Sequence, residues 1–272
     1  MAAPVSDDGN PGIQATKGLL LAFGIIAGWA ATHVAGVFYY SWGLHSFVTA
    51  PLLVAINCWL FVGMFIVAHD CMHGSLVPFR PMWNRIIGQI CLGLYAGFEF
   101  DKLNRKHHMH HRYSGTEGDP DFDERPPHGF LQWYMRFFME YFGWKQLVFL
   151  SAVSALYLAV LQVSYPNLLV FWALPAIVSS VQLFYFGTYL PHKPNSREFA
   201  DRHRTRSNDW SWVASLLTCF HFGYHLEHHL VVNCPHYKLA DAHRMLLDKG
   251  YGEKMEIQPS YKVVLNLALK AG

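Results

Sequence analysis

Two long stretches of the chain carry no charge at all. From Gly18 to Ala68, and again from Gln146 to His192, there is no Lys, Arg, Asp or Glu. Each is about twice the ~20 residues that one bilayer-spanning helix needs. Each also has a polar break near its middle, Tyr39-Tyr40-Ser41-Trp42-Gly43 in the first and Ser164-Tyr165-Pro166-Asn167 in the second. The pattern predicts two helical hairpins, 18–40 with 46–68 and 147–164 with 168–190. Both tips lack basic residues while the flanking segments carry them, so both hairpins are expected to hang from the cytoplasmic side of the inner membrane, with both termini on that side. Two shorter apolar runs, Ile86 to Phe98 and Val213 to Phe222, are too short to cross and read as re-entrant or interfacial segments. The expected fold is therefore an all-α integral membrane protein of four transmembrane helices, interfacial helices and a cytoplasmic histidine-rich cap. A soluble protein with two buried hairpins would leave uncharged runs of this length unexplained.

Residues 1–16 are small and polar and lack the basic start of a signal peptide, so they read as a disordered cytoplasmic tail. Residues 17–272 read as one membrane domain, ending in a mildly amphipathic tail from Pro259 to Gly272. Charged residues make up 15% of the 272, against roughly 25% in an ordinary soluble domain, and 52% are apolar. That composition excludes a disordered or collagen-like chain. The 21 basic and 19 acidic residues nearly cancel, which argues against nucleic acid as a partner. Five cysteines (Cys58, Cys71, Cys91, Cys219, Cys234) form no CxxC pair and read as free thiols.

What changes the picture is histidine, with 17 residues in so apolar a chain. Three clusters sit just outside the predicted spans: His69-Asp70-Cys71-Met72-His73, His107-His108-Met109-His110-His111 and His225-Leu226-Glu227-His228-His229. In the first, i and i+4 place both imidazoles on one helical face. In the others, i, i+3 and i+4 fall within roughly 100° of arc, so the three rings of each box can converge on one point. Eight imidazoles exceed a closed four-ligand zinc site and suit two metal ions with open positions. Imidazole alone does not choose among zinc, copper, iron and nickel. Rings crowded in this way would repel if protonated, unless a metal holds them neutral.

His192 closes the second hairpin on the same face and is a further ligand candidate. His221, four residues before His225, is a weaker one. His108 lies about 60° from His111 and is left out. His33, His45, His128, His203, His236 and His243 are expected to be polar tips satisfied by headgroups or a carbonyl. Asp70 and Glu227, embedded in the boxes, are expected to orient ligand imidazoles through the far ring nitrogen, and Asp119 and Asp121 are candidates for the same work.

These strings resemble the membrane fatty-acid desaturase and hydroxylase superfamily. HDxxH, HxxHH and HxxHH on a four-helix scaffold carry the general likeness. HDCMHGS (69–75), GDPDF (118–122), FGTYLPH (186–192) and CFHFGYHLEHH (219–229) are similar to bacterial β-carotene ketolases as a family. The resemblance implies a non-haem di-iron centre ligated by His69, His73, His107, His110, His111, His225, His228 and His229, with His192 as a ninth ligand. It implies O2 as co-substrate and a carotenoid drawn from the bilayer, whose ring C4 methylene becomes a ketone by two hydroxylations and loss of water. Phe65, Trp83, Tyr95, Phe98 and Phe100 are candidates to line the substrate's entry.

The chain shows no dinucleotide fingerprint, haem CxxCH or cysteine set for an iron–sulfur cluster. Electrons are therefore expected from an external ferredoxin-type donor, docking on a face made basic by Arg80, Arg85, Lys102, Arg105, Lys106, Arg202, Arg204 and Arg206. Anionic lipid would favour the same charges. A carotenoid ring hydroxylase and an acyl-lipid desaturase share the boxes. From another class, a metal transporter needs ligands near the bilayer midplane, and a haem electron carrier needs paired axial histidines on facing spans.

Overall fold

A computed structural model describes residues 10–194, 199 and 202–248, and among these there is no strand. The first hairpin is built from α1 (Pro11–Tyr39) and α2 (Ser46–Met72), joined by a short turn. Asn10 caps α1 by accepting the Gly12 N–H at 2.8 Å, and Pro11 sits where a missing N–H costs nothing. This start corrects the expected disordered tail, because residues 11–16 are helical. Residues 1–9 and the tail from Pro259 to Gly272 lie outside the described residues.

α3 (Pro81–Ala96) packs on α2 through Asn84, Gly88, Cys91, Leu92 and Tyr95, and turns Met82, Trp83, Ile86 and Ile90 outward. Its 16 residues are too few to span. It stops at Gly97, whose φ of 70° is the left-handed value a helix C-cap favours. There the Phe98 N–H reaches back to the Leu92 carbonyl at 3.1 Å. The chain then enters α4 (Phe100–Tyr113), which carries the second histidine box.

The second hairpin departs from expectation. α5 (Phe130–Tyr141) and α6 (Trp144–Val160) meet at an 80° bend, and only α1, α2 and α7 (Tyr165–His192) are each long and apolar enough to cross a bilayer. By length and composition the described residues thus offer three candidate spans, or the expected four if the bent pair counts as one. The sequence hid this because α5 carries charges while its aromatic face is apolar. α6 and α7 also contain π-helical turns at Leu156–Val160, Leu169–Ala173 and Tyr185–Tyr189.

Polar groups in hydrocarbon must find partners within the protein. Asn57, fully buried in α2, accepts from Thr32 Oγ1 at 2.6 Å and donates to the Phe171 carbonyl at 3.2 Å. Asn167 accepts from Trp42 Nε1 at 2.7 Å and donates to the Tyr40 carbonyl at 2.9 Å. These bonds fasten α7 to the first hairpin. His33 is not the headgroup-facing tip that was expected: it stacks on Trp29 inside the bundle, 3.2 Å from the Tyr157 hydroxyl.

Three short helices follow: α8 (Trp212–Cys219), α9 (His225–Leu230) and α10 (Leu239–Asp248). Gly88 sets how closely α4 can approach. A Cβ there would strike the Phe100 ring at the start of α4 and lie 3.2 Å from the Cys71 Cβ. Gly88→Val should therefore destabilise the protein by about 1–3 kcal/mol, seen as a melting transition lowered by several degrees in detergent; an unchanged transition would contradict this packing.

Candidate metal centre

The C-terminal ends of α2 and α7 meet α4 and α9, and nine imidazoles come together there. They form two groups, within each of which one ligand atom per residue lies within 4.8 Å of all the others. The first is His69, His73, His107, His111 and His228; the second is His110, His192, His225 and His229. Each HxxHH box is therefore split, and its three rings do not converge on the one point that their spacing alone allows. The 100° step between adjacent helical residues sends His110 and His111, and likewise His228 and His229, to different groups. The i,i+4 pairs stay together: 69 with 73, 107 with 111, and 225 with 229.

Within each group the ring nitrogens lie close together. His73 and His107 Nε2 are 2.6 Å apart, His107 and His111 3.1 Å, His111 and His228 2.9 Å, and His225 and His229 3.2 Å. Two nitrogens each ~2.1 Å from one ion stand about 3.0–3.4 Å apart. Both nitrogens of His69 and Nε2 of His192 are buried with no hydrogen-bond partner. Such atoms normally find one, so the donor set fits a pair of metal ions.

Burial, with repulsion from neighbouring imidazoles, holds His107, His111, His225, His228 and His229 well below the usual histidine range. They are neutral at pH 7, the form that binds metal. His110 shifts the other way: burial opposes its cation, but Asp119 outweighs it. Asp119 accepts from His110 Nδ1 at 3.0 and 3.1 Å, and the Arg204 carbonyl accepts from His192 Nδ1 at 2.9 Å. Both contacts fix the ring and leave Nε2 to the centre. Burial lifts the neighbouring Asp121 to about 6.

A cavity of about 470 Å³ opens on both groups, reaching His69, His107, His110 and His225. Its wall follows α7 from Tyr165 to Thr188, a rise on the order of 30 Å at ~1.5 Å per residue, and all three π-turns contribute to it. Of the expected lining aromatics, Phe65, Tyr95 and Phe98 are there. Trp83 is 57% exposed on the outer face of α3, and Phe100 is buried beneath Gly88; neither lines the cavity.

The fatty acid desaturase family model matches residues 42–154 and 143–260. The chain belongs to the fatty acid desaturase family. Its relatives include a β-carotene ketolase of Paracoccus sp., 46% identical over 222 residues (81% of this chain, 90% of the relative). A β-carotene ketolase of Haematococcus lacustris is 35% identical over 263 residues, covering 87% of this chain and 82% of the relative. A zeaxanthin 4-ketolase of Chlamydomonas reinhardtii is 33% identical over 233 residues, 82% of this chain and 52% of the relative.

In this desaturase-family centre the two box carboxylates do something other than expected. Asp70 accepts from His236 Nδ1 at 2.8 Å and from its backbone N–H, and lies 3.9 Å from His69 Nδ1. Glu227 accepts from the Ser207 hydroxyl and from His243 Nδ1 at 2.5 Å. His236 and His243, expected to be polar tips, are the buried partners that latch the segment after α9 to the centre. Nothing in their spacing relates them to the boxes, so sequence reasoning missed them. His45 and His128 do meet carbonyls, of Ser41 at 2.9 Å and Asp123 at 2.7 Å. His203 neighbours the second group, its ring 5.9 Å from that of His229.

His221 joins neither group. Phe220 and His221 both have positive φ, 49° and 67°, so a left-handed turn breaks the helical register linking 221 to 225. Its ring packs 5.1 Å from Trp212, and burial lowers its pKa to about 4. His108 also stays outside both groups.

Removal of a carboxylate that orients a ligand imidazole commonly costs 10–100-fold in metal affinity. Asp119→Ala should lose metal to a chelator at a 10–100-fold lower concentration than the parent, while the exposed Glu124→Ala should not. Metal analysis after graded chelation measures this, and equal retention by both variants would contradict the assigned role of Asp119.

Proposed function

We propose that the chain is an oxygen-dependent di-iron membrane oxygenase that converts the C4 methylene of carotenoid β-ionone rings to a ketone. β-Carotene would give echinenone and canthaxanthin, and zeaxanthin would give astaxanthin. The observation that carries this reading is the junction of nine imidazoles, in two groups, with one long apolar cavity. The ketolase names of the relatives support the substrate class. His69, His73, His107, His111 and His228 are the proposed ligands of one iron, and His110, His192, His225 and His229 those of the other. Bound there, the irons supply the activation of O2 that oxidising an unreactive C–H bond requires.

The protein's own contribution is position and dryness. Phe65, Tyr95 and Phe98 with Phe137, Phe138, Trp172 and Phe222 enclose a rod-like hydrocarbon and hold one ring carbon beside the imidazoles. Phe222 packs 4.5 Å from His69 and 4.8 Å from His225, keeping water from the reacting face. Each round inserts one oxygen atom of O2 into a C–H bond and uses two electrons and two protons to turn the other into water. The second round leaves a gem-diol, which loses water to give the ketone.

The electrons come from a ferredoxin-type donor on the cytoplasmic side of the inner membrane. Arg80, Arg105, Arg202 and Arg204 are exposed for such docking. Arg206 is not, at 2% exposure with its guanidinium donating to the Lys193 carbonyl, and Lys106 is paired with Glu140. The positions of the clusters at helix ends disfavour a transporter, whose ligands lie at the midplane.

Expression in β-carotene-producing cells should yield echinenone and canthaxanthin, with about two irons per purified chain and no Soret band. Hydroxylated carotenoids alone would point to a ring hydroxylase, and altered acyl chains to a lipid desaturase. In the same cells His110→Ala and His228→Ala should abolish ketone formation and lower bound iron, while His128→Ala should retain both. Full activity in the first two would defeat the ligand assignment.

A further inference from the structure

The cavity contains one polar pair to which no part of the oxidation has yet been assigned. Asp121 is the only carboxylate among its lining residues, and Tyr141 lines it beside Asp121. The Tyr141 hydroxyl donates to Asp121 Oδ1. The other oxygen, Oδ2, is 3.8 Å from His110 Nδ1, too far to accept, since Asp119 already takes that N–H. Asp121 is 8% exposed, and no donor to its Oδ2 lies within hydrogen-bonding distance among the described residues. Its position is fixed in advance. The Asp121 N–H donates to Asp119 Oδ1 at 2.9 Å, Trp133 Nε1 donates to the Asp121 carbonyl at 2.6 Å, and Arg136 Nη1 donates to the Pro120 carbonyl at 3.1 Å. Lys106 Nζ holds the far side, 4.9 Å over the Tyr141 ring.

We propose that Asp121, braced by Tyr141, is the receptor for a hydroxyl on the ring being oxidised. This rests on the reading of the substrate as a carotenoid. A buried acceptor without a donor is costly. A plain hydrocarbon ring leaves Asp121 in that state, whereas a hydroxylated ring brings the missing O–H. The place suits the chemistry, because Asp121 adjoins His110 at the metal end of the cavity, where only substituents close to the reacting carbon can reach. Two hydroxyls meet that condition: one at C3 of a substrate already hydroxylated there, and the C4 hydroxyl left by the first round. The second case gives the pair a clear purpose, since a hydroxylated product that is held in place goes on to the ketone and one that leaves does not. A site built to bond a substrate hydroxyl discriminates strongly against the analogue lacking it.

The test compares the parent with Asp121→Leu/Tyr141→Phe, which replaces both partners with apolar groups of similar size, and with Tyr141→Phe alone. Iron-loaded protein in detergent, kept without reductant so that no turnover occurs, is offered β-carotene against zeaxanthin, and β-carotene against 4-hydroxy-β-carotene, and the retained pigment is quantified. The parent should prefer the hydroxylated ring about tenfold, the scale of one hydrogen bond in a dry pocket. The double variant should lose that preference and the single variant part of it. Loss with zeaxanthin alone assigns the C3 hydroxyl, and loss with the 4-hydroxy compound alone assigns the C4 hydroxyl. In the second case, cells carrying the double variant should also release 4-hydroxy-β-carotene. Variants that keep the parent's circular dichroism and elution volume yet show unchanged preferences would overturn the proposal. So would a parent with no preference. If the double variant does not fold, Tyr141→Phe decides by the same criterion. A parent that makes no ketone but binds the hydroxylated pigments more tightly defeats the proposed reaction and leaves this receptor standing.

Discussion

Crowding nine imidazoles into mutual contact, six of them buried and three partly so, is the constraint from which the rest of the structure follows. Away from water each ring nitrogen needs a proton to give, a proton to accept or a cation to bind. Burial removes the charged form, so most of these rings are neutral, and their lone pairs face one another at 2.6–3.2 Å. Packing forces alone give no reason for such an arrangement, whereas two shared cations do. The cost of assembling it falls on the scaffold, which must bring four separate helix ends within a few ångströms before any metal is held. The 100° helical step turns this into a cross-link: α4 and α9 each give two rings to one group and one ring to the other. Neither helix can then shift without disturbing both groups.

That demand explains why the carboxylates of the boxes make their hydrogen bonds to partners outside the two groups. α9 has six residues, far too few for a helix to persist unaided. Glu227 holds it from behind through Ser207 and His243, and Asp70 anchors the following segment through His236. The orientation of ligand rings falls instead to Asp119 and to a backbone carbonyl. Three chemically equivalent carboxylate–histidine pairings thus serve two ends: Asp119–His110 fixes a ring of the centre, while Glu227–His243 and Asp70–His236 hold the segments behind it.

How far the sequence foretold this depended on the range of the signal. Charge-free runs and i,i+4 spacing are local, so α1, α2 and the pairing of 69 with 73, 107 with 111 and 225 with 229 were legible. His192 was also legible, because the end of a span fixes the side on which it emerges. The division of each HxxHH box was not, since it depends on where α4 and α9 cross. Nor was the bend between α5 and α6, because charges on one face of α5 masked an apolar face that meets α7. His236, His243 and the cavity aromatics of α5 were missed for the same reason. They are ordinary residues locally and gain their place only through contacts far along the chain. His221 shows the opposite failure, since its i,i+4 spacing was correct but a left-handed turn at 220–221 cancelled it.

The cavity links the two halves of the problem, lipid substrate and polar centre. A straight α-helix presents a regular stripe of side chains to its neighbours and tends to close against them. A π-turn inserts an extra residue and displaces the facing side chains, and the three such turns in α6 and α7 all fall on the cavity wall. The last of them, Tyr185–Tyr189, lies directly before His192. The helix whose π-turns line the cavity therefore also carries the ninth imidazole to the centre. The wall of the cavity and one imidazole of the second histidine group are thus coupled through one helix.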